Sequence, residues 1–293
     1  MTDFMKNALV LGAAVFFALM WGLLIRKHVG YPEGGLAPDY SRVLAPEEER
    51  RETTYGIYFV GQRYGRTRTV TKRNPDQSID ITSDTEIELG KALSPMIGVS
   101  GSVDIGFSVH VEPLSGLRRL SFTSERLGLK LRGHRREDTL VIRGALGQDD
   151  IKTTIPFDES RFVTGIFSPL KGLPELSEDA VGETWQFHLV NPFSGSVQKV
   201  TGEARSSRTV TLAEEEVRVF QIILSTDSSE WESWVLADGE VLVQEVPFGL
   251  MLRREDVDQS VIRSLLEDGE EEAKDVSVGA VPLEKSAPRP YNS

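Results

Sequence analysis

From residue 53 onward, apolar and polar side chains alternate one for one along most of the chain, the period of a strand that turns one face to a core and the other to water. The alternation predicts strands over 55–60, 64–72 and 78–89, joined by turns at 61–63 and at Asn74, Pro75, Asp76 and Gln77. Further strands are expected over 102–111, 117–124, 127–132, 139–143 and 151–155, each bounded by Gly, Pro or charged residues. Residues 156–183 break the rhythm. Pro156, Pro169, Gly172 and Pro174 surround Phe162, Ile166, Phe167 and Leu170, which reads as a loop with one or two short helices. Alternation returns over 184–190, 196–203, 217–226, 230–237 and 240–246. Asp238-Gly239 suits a type I′ hairpin turn in the last pair, because both residues tolerate positive φ.

The ends follow other patterns. Residues 8–25 carry no charge, and about 20 helical residues at about 1.5 Å each cross a hydrocarbon core of about 30 Å. The run therefore predicts a single transmembrane anchor behind a short tail, 1–7. A cleaved signal peptide would have a shorter apolar stretch ending in small residues, whereas this one ends in Trp21, Leu23, Leu24 and Ile25. A core helix would need a polar face, which the run lacks. Lys6 on one flank and Arg26 and Lys27 on the other leave the charge rule undecided. The expected arrangement is the bacterial inner membrane, with the carboxyl-terminal domain in the periplasm. A cytoplasm-facing domain is the alternative.

Residues 26–52, with their Pro, Gly and acidic-then-basic composition, read as a stalk, and 53–255 as the β domain. Asp256 is a candidate N-cap for a short helix over 256–268 that Gly269 would stop. The acidic, Pro-containing tail over 269–293 is expected to be disordered.

The net charge of −12 argues against nonspecific nucleic-acid binding. The absence of cysteine removes disulfides, thiolate zinc sites and Cys nucleophiles together. His28, His110, His134 and His188 stand far apart, with none in H-E-x-x-H spacing. The GVSGS sequence at 98–102 is not G-x-S-x-G. Asp149-Asp150 and the run Glu214, Glu215, Glu216 read as turns facing water rather than as a cation site. Neither a Walker loop nor a dinucleotide fingerprint occurs. The chain is thus expected not to be an enzyme, with no catalytic residue, no metal and no cofactor.

Two sets of side chains remain as candidates. Phe107, Phe122, Phe167, Trp185, Phe187, Phe220 and Trp234 could line an apolar cavity for a ligand, although a filled core would use the same residues. Arg126, Lys130 and Arg132 alternate with Leu127, Leu129 and Leu131, and Arg135 and Arg136 follow. This strip reads as an outer face that could touch a protein partner or anionic lipid, each basic residue adding about 1 kcal/mol near such a surface. RNA is set aside because no aromatic-plus-basic ladder is present.

The stretches YGIYFVGQRYG at 55–65 and WVLADGEVLVQEVPFGLMLRRE at 234–255 resemble the β modules of bacterial envelope proteins that precede transglutaminase-like domains. Those modules are similar in turn to LolA-like half-barrels, which carry lipoproteins or lipids. The resemblance spans about 53–255 and implies a mainly β fold: an anchor helix followed by a large antiparallel, curved, open-barrel sheet with short helical plug elements. Transglutaminase chemistry does not carry over, because it needs a cysteine. The function implied is that of a membrane-anchored envelope protein whose exported half-barrel binds a lipid, an acyl chain or a lipidated partner. The alternative is a non-catalytic structural or assembly factor of a membrane complex that works through protein contacts.

Overall fold

Alternation of this length needs a partner for every strand, and here one sheet supplies all of them. The computed structural model describes residues 38–90, 101–159 and 161–276. The expected anchor at 8–25, the tail at 1–7 and residues 277–293 lie outside these. Among the described residues, no helix is long and apolar enough to cross a membrane.

The strands are β1 (Arg50–Phe59), β2 (Gln62–Arg73), β3 (Ile79–Leu89), β4 (Gly101–Glu112), β5 (Gly116–Ser124), β6 (Leu129–Arg136), β7 (Thr139–Leu146) and β8 (Asp149–Pro156). After a long excursion come β9 (Val163–Gly165), β10 (Thr184–Val190), β11 (Val197–Leu212), β12 (Glu215–Ser225), β13 (Glu230–Leu236), β14 (Val241–Val246) and β15 (Leu250–Arg254). All fifteen form a single sheet in the order β8 to β1, then β15 down to β9. The two meanders meet where β1 pairs with β15, Ile57 opposite Leu252. The sheet is mainly hairpins, large, curved and not closed.

Curvature brings the far ends of the sheet together. Gly195, in the turn between β10 and β11, lies directly against Ile151 of β8. Gly165 of β9 rests on Phe122 of β5, where an added Cβ would sit 2.7 Å from the ring. The concave face holds the main core, including Tyr55, Ile57, Phe122, Leu131, Leu140, Phe187 and Phe220. Each such side chain contributes about 1.5–3 kcal/mol on burial. A smaller cluster covers part of the convex face: Val219, Trp234, Leu242 and Val243 pack beneath Ile262 and Leu265 of the helix α1 (Gln259–Val276).

Several expectations are corrected by the structure. The Asp238-Gly239 hairpin forms, but only Gly239 has positive φ, and the register slips between Trp234 and Val235, so the turn is a bulged one and not type I′. Two-residue turns with both φ values positive fall instead at Val60-Gly61 and at Ala213-Glu214, the second of which carries no turn signature. Strand β11 runs to Leu212, past the expected end at 203, through a bulge at Ala204. Strands β9 and β10 pair in parallel, a departure from a wholly antiparallel sheet.

Among its described residues, the excursion at 157–183 carries no α-helix; its regular elements are β9 and the short 3-10 turn Glu178–Ala180. Helix α1 continues through Gly269 to Val276. One internal glycine costs about 1 kcal/mol, which the strong helix formers that follow it can offset. Its cap is Asp258, whose carboxylate accepts from Ser260 N at 2.8 Å, while Asp256 pairs with Arg254. Within the expected stalk, Tyr40, Val43 and Leu44 are buried in the main core, and the first strand begins at Arg50.

Candidate functional site

An open, curved sheet offers two surfaces, and the concave one is occupied by its own chain. Phe162, Ile166, Phe167, Leu170, Leu173 and Leu176 all point into the main core. Tyr40 stacks on Phe162 with ring centroids 4.6 Å apart, and Phe162 meets Phe187 edge-on at 5.8 Å. The Tyr40 hydroxyl donates to Val163 O, and burial pushes its ionisation far above the usual range. The void left between this segment and β2–β4 is about 10 Å³, lined by Thr69, Phe107, Phe162 and Lys171 among others. That is about the least space that holds one water.

Scattered polar ties hold the segment. Asp39 N donates to Gly172 O at 2.8 Å and Leu176 N to Ala237 O at 2.7 Å. Gln244 reaches in from β14 to accept from Leu170 N at 3.2 Å. The buried Lys171 donates to Thr53 Oγ1 at 2.9 Å and lies 3.6 Å from Glu240. Glu240 also faces Arg254 at 3.0 Å and Arg51 at 3.8 Å, so one carboxylate draws three cations together at the seam of the two meanders. Burial lowers the pKa of Lys171 despite the opposing field of Glu240.

Six of the seven aromatics proposed from sequence are gathered here. Phe107, Phe122, Phe167, Trp185, Phe187 and Phe220 belong to the concave core, with Phe107 and Phe122 at 4.6 Å between centroids. Trp234 is separated from them: it lies on the convex face beneath α1, with Arg208 stacked 4.3 Å above its ring.

The convex face of the first meander carries the larger hollow. A groove of about 640 Å³ is lined by Asp80, Thr82, Ser108, His110, Arg119, Ser121, Arg132 and His134, together with Val109, Leu120 and Gly133. Register places these in two adjacent rows. One row runs Asp80, His110, Arg119, His134 across β3–β6, and the next runs Thr82, Ser108, Ser121, Arg132, Arg143, Lys152 across β3–β8. His110 Nδ1 lies 2.7 Å from Asp80, and the Ser108 and Ser121 hydroxyls are 2.8 Å apart. Burial raises the pKa of Asp80, but hydrogen bonds from Asn74 and His110 outweigh it and hold the carboxyl below its usual range.

The basic strip read from sequence does not form one patch. Lys130 and Arg132 are exposed on the convex face of β6. Arg135 stacks on Phe157 at 3.7 Å and donates to Ser115 O, at the rim of the sheet. Arg136 donates to His134 Nε2 at 3.0 Å, and Arg126 lies over Gly101. Cross-strand register supplies the neighbours that linear reading missed, Arg119, Arg143 and Lys152. Lys171 was also missed, and its only signal in the sequence is a lone charge within an apolar, Pro-rich stretch. Among the described residues, no group of three or more His, Asp or Glu side chains could hold a metal ion.

No family model matches the chain, and no curated protein matches it. A solved structure similar to it is the beta-barrel-like protein of domain of unknown function DUF1849 from Brucella abortus. Identity is 10%, the match covers 73% of this chain and 99% of that one, and the TM-score is 0.45.

Proposed function

We propose that this chain is a membrane-anchored, non-catalytic envelope protein whose barrel-like domain acts as an assembly or adaptor module through contacts on its outside. One observation carries the reading: residues 162–176 pack into the concave face, and the void left between them and β2–β4 is about 10 Å³. A lipid or acyl chain has no room at that position without displacing buried side chains of the segment. The remaining surfaces include the strand edge of β8, which pairs with β7 on one side and with no other strand among the described residues. Beyond Ile151, which meets the β10–β11 turn, an unpaired edge of that kind recruits an extended segment by main-chain hydrogen bonds.

The anchor at 8–25 would hold this surface at the inner membrane with the domain in the periplasm. A photocrosslinker at Thr154 of β8, in the full chain in intact cells, is expected to trap one dominant protein. A diffuse set of adducts, or lipid alone, would overturn the adaptor reading.

A second reading keeps the hydrophobic ligand or lipidated partner that the half-barrel resemblance implies. What favours it is the way the filling segment is held, by separate polar ties around Lys171 and Glu240 and by little regular pairing. On this reading the segment is a plug that leaves when a ligand enters. Copurified lipid in the full chain, increasing in Glu240→Ala, would favour carriage. Lipid-free protein in both would exclude it.

A further inference from the structure

The row Arg132, Arg143, Lys152 places three cations directly opposite one another on β6, β7 and β8. Like charges directly opposite across a sheet are destabilising. All three are exposed, and none has an ion-pair partner among the described residues, whereas Arg119 on the neighbouring row acts on the carboxylates of Asp80 and Glu112 from beyond ion-pair distance. Cations on the neighbouring strands of the same face are paired. On β1–β3, Arg68 pairs with Glu52 at 2.6 Å and Arg66 with Glu86 at 3.6 Å, in a chain whose net charge is −12. With carboxylates in such excess, a row of three cations without ion pairs stands out, beside a groove whose one carboxylate, Asp80, is already engaged by His110 and Asn74.

The groove's chemistry matches that row. Arg119 and Arg132 stand on adjacent rows of neighbouring strands, so their planar guanidinium groups can address one oxyanion from two sides. The Ser108 and Ser121 hydroxyls form the floor next to Arg132, and His110 and His134 flank Arg119. We propose that this groove is an anion-binding site for a phosphate group, with Arg119 and Arg132 as the principal ligands and the serine hydroxyls as orienting donors. Arg143 and Lys152 extend the positive field toward β8. The site lies on the opposite face from the filled core and does not depend on the adaptor reading.

The test uses the full chain in neutral detergent, titrated with inorganic phosphate and with glycerol phosphate, and with chloride at matched ionic strength as control. Phosphate is expected to raise the melting temperature and chloride to leave it unchanged. The paired substitution Arg119→Gln, Arg132→Gln should weaken phosphate affinity at least tenfold. Flotation with vesicles of phosphatidylcholine alone and of phosphatidylcholine with phosphatidic acid distinguishes a lipid headgroup from a free phosphate as the source. Selective recruitment to phosphatidic acid that is lost in the double variant assigns the headgroup, and a response to soluble phosphate only assigns the free ion. A phosphate response equal to that of chloride with no selective flotation, or binding that survives in a double variant with wild-type melting behaviour, overturns the site. So does capture of a polyglutamate peptide without any response to phosphate.

Discussion

The convex face of the sheet differs between its two halves, although both halves are built from hairpins of similar length. On β3 and β4 every second residue is buried and its neighbours are polar, so the outer side faces water. On β12 and β14 the buried residues run together, from Val219 to Leu224 and from Val241 to Gln244, because α1 covers the outer side there. A strand covered on both faces reads as a continuous apolar run, and one covered on a single face reads as an alternation. The contrast shows where the protein has committed its surface to packing. It also shows where the convex face is left available, at the charged groove of the first meander.

Breaking the face that both halves share should have the largest effect. Phe122 is fully buried, in contact with Phe107 and Gly165, so Phe122→Ala is expected to cost about 3–5 kcal/mol. Urea unfolding followed by circular dichroism should show one transition at lower denaturant, because the loss is felt by both meanders. Removing the convex cover should act on one half only. Leu265→Ala is expected to cost about 2–3 kcal/mol. Amide exchange should then quicken in β12–β14 and stay slow in β3–β5, whereas uniform quickening would argue that the two convex faces are not independent.

The covered half also holds a half-buried carboxyl. Burial pushes Glu245 above the usual carboxylate range, the nearby Glu232 carboxylate adds to this, and a hydrogen bond from Glu232 N opposes it. A carboxyl with a raised folded pKa penalises the folded state while it is ionised. As pH falls through that pKa the folded protein takes up a proton first, and the penalty is gone below the unfolded value of about 4.3. Glu245→Gln should therefore raise the melting temperature at pH 7, by an amount that shrinks toward zero near pH 4. A gain that is constant with pH would break the assignment. On the bare half the smallest effect is expected: Arg143→Gln, which removes a cation facing both Arg132 and Lys152, should stabilise by about 0.2–1 kcal/mol. Thermal melts in 1 M salt should erase the gain, since the screening length there is about 3 Å.

Much of the strand order was legible because it rests on local pairs. The hairpins from β1 to β8 follow from alternation and turn residues, and those from β10 to β14 do as well. The misplaced details have specific causes. Val60-Gly61 and Ala213-Glu214 form turns with positive φ at both residues, although Val, Ala and Glu are not turn residues. The bulge at Ala204 lets β11 run past a Gly-containing stretch that reads as a strand end. Residue type and strand position alone do not separate Trp234 from the six concave rings, because bulges at Ala204 and Trp234 reset which face each residue takes.

By itself the sequence determined the β class, the central interruption and the apolar run at 8–25, because each depends on the period or composition of neighbouring residues. It determined as well that no thiol chemistry is available. Only the tertiary structure decided that β1 closes on β15, that residues 162–176 pack into the concave face and that Arg119, Arg132, Arg143 and Lys152 share one surface. Those facts join residues far apart in the chain, and the register that aligns them is set by packing across the whole sheet.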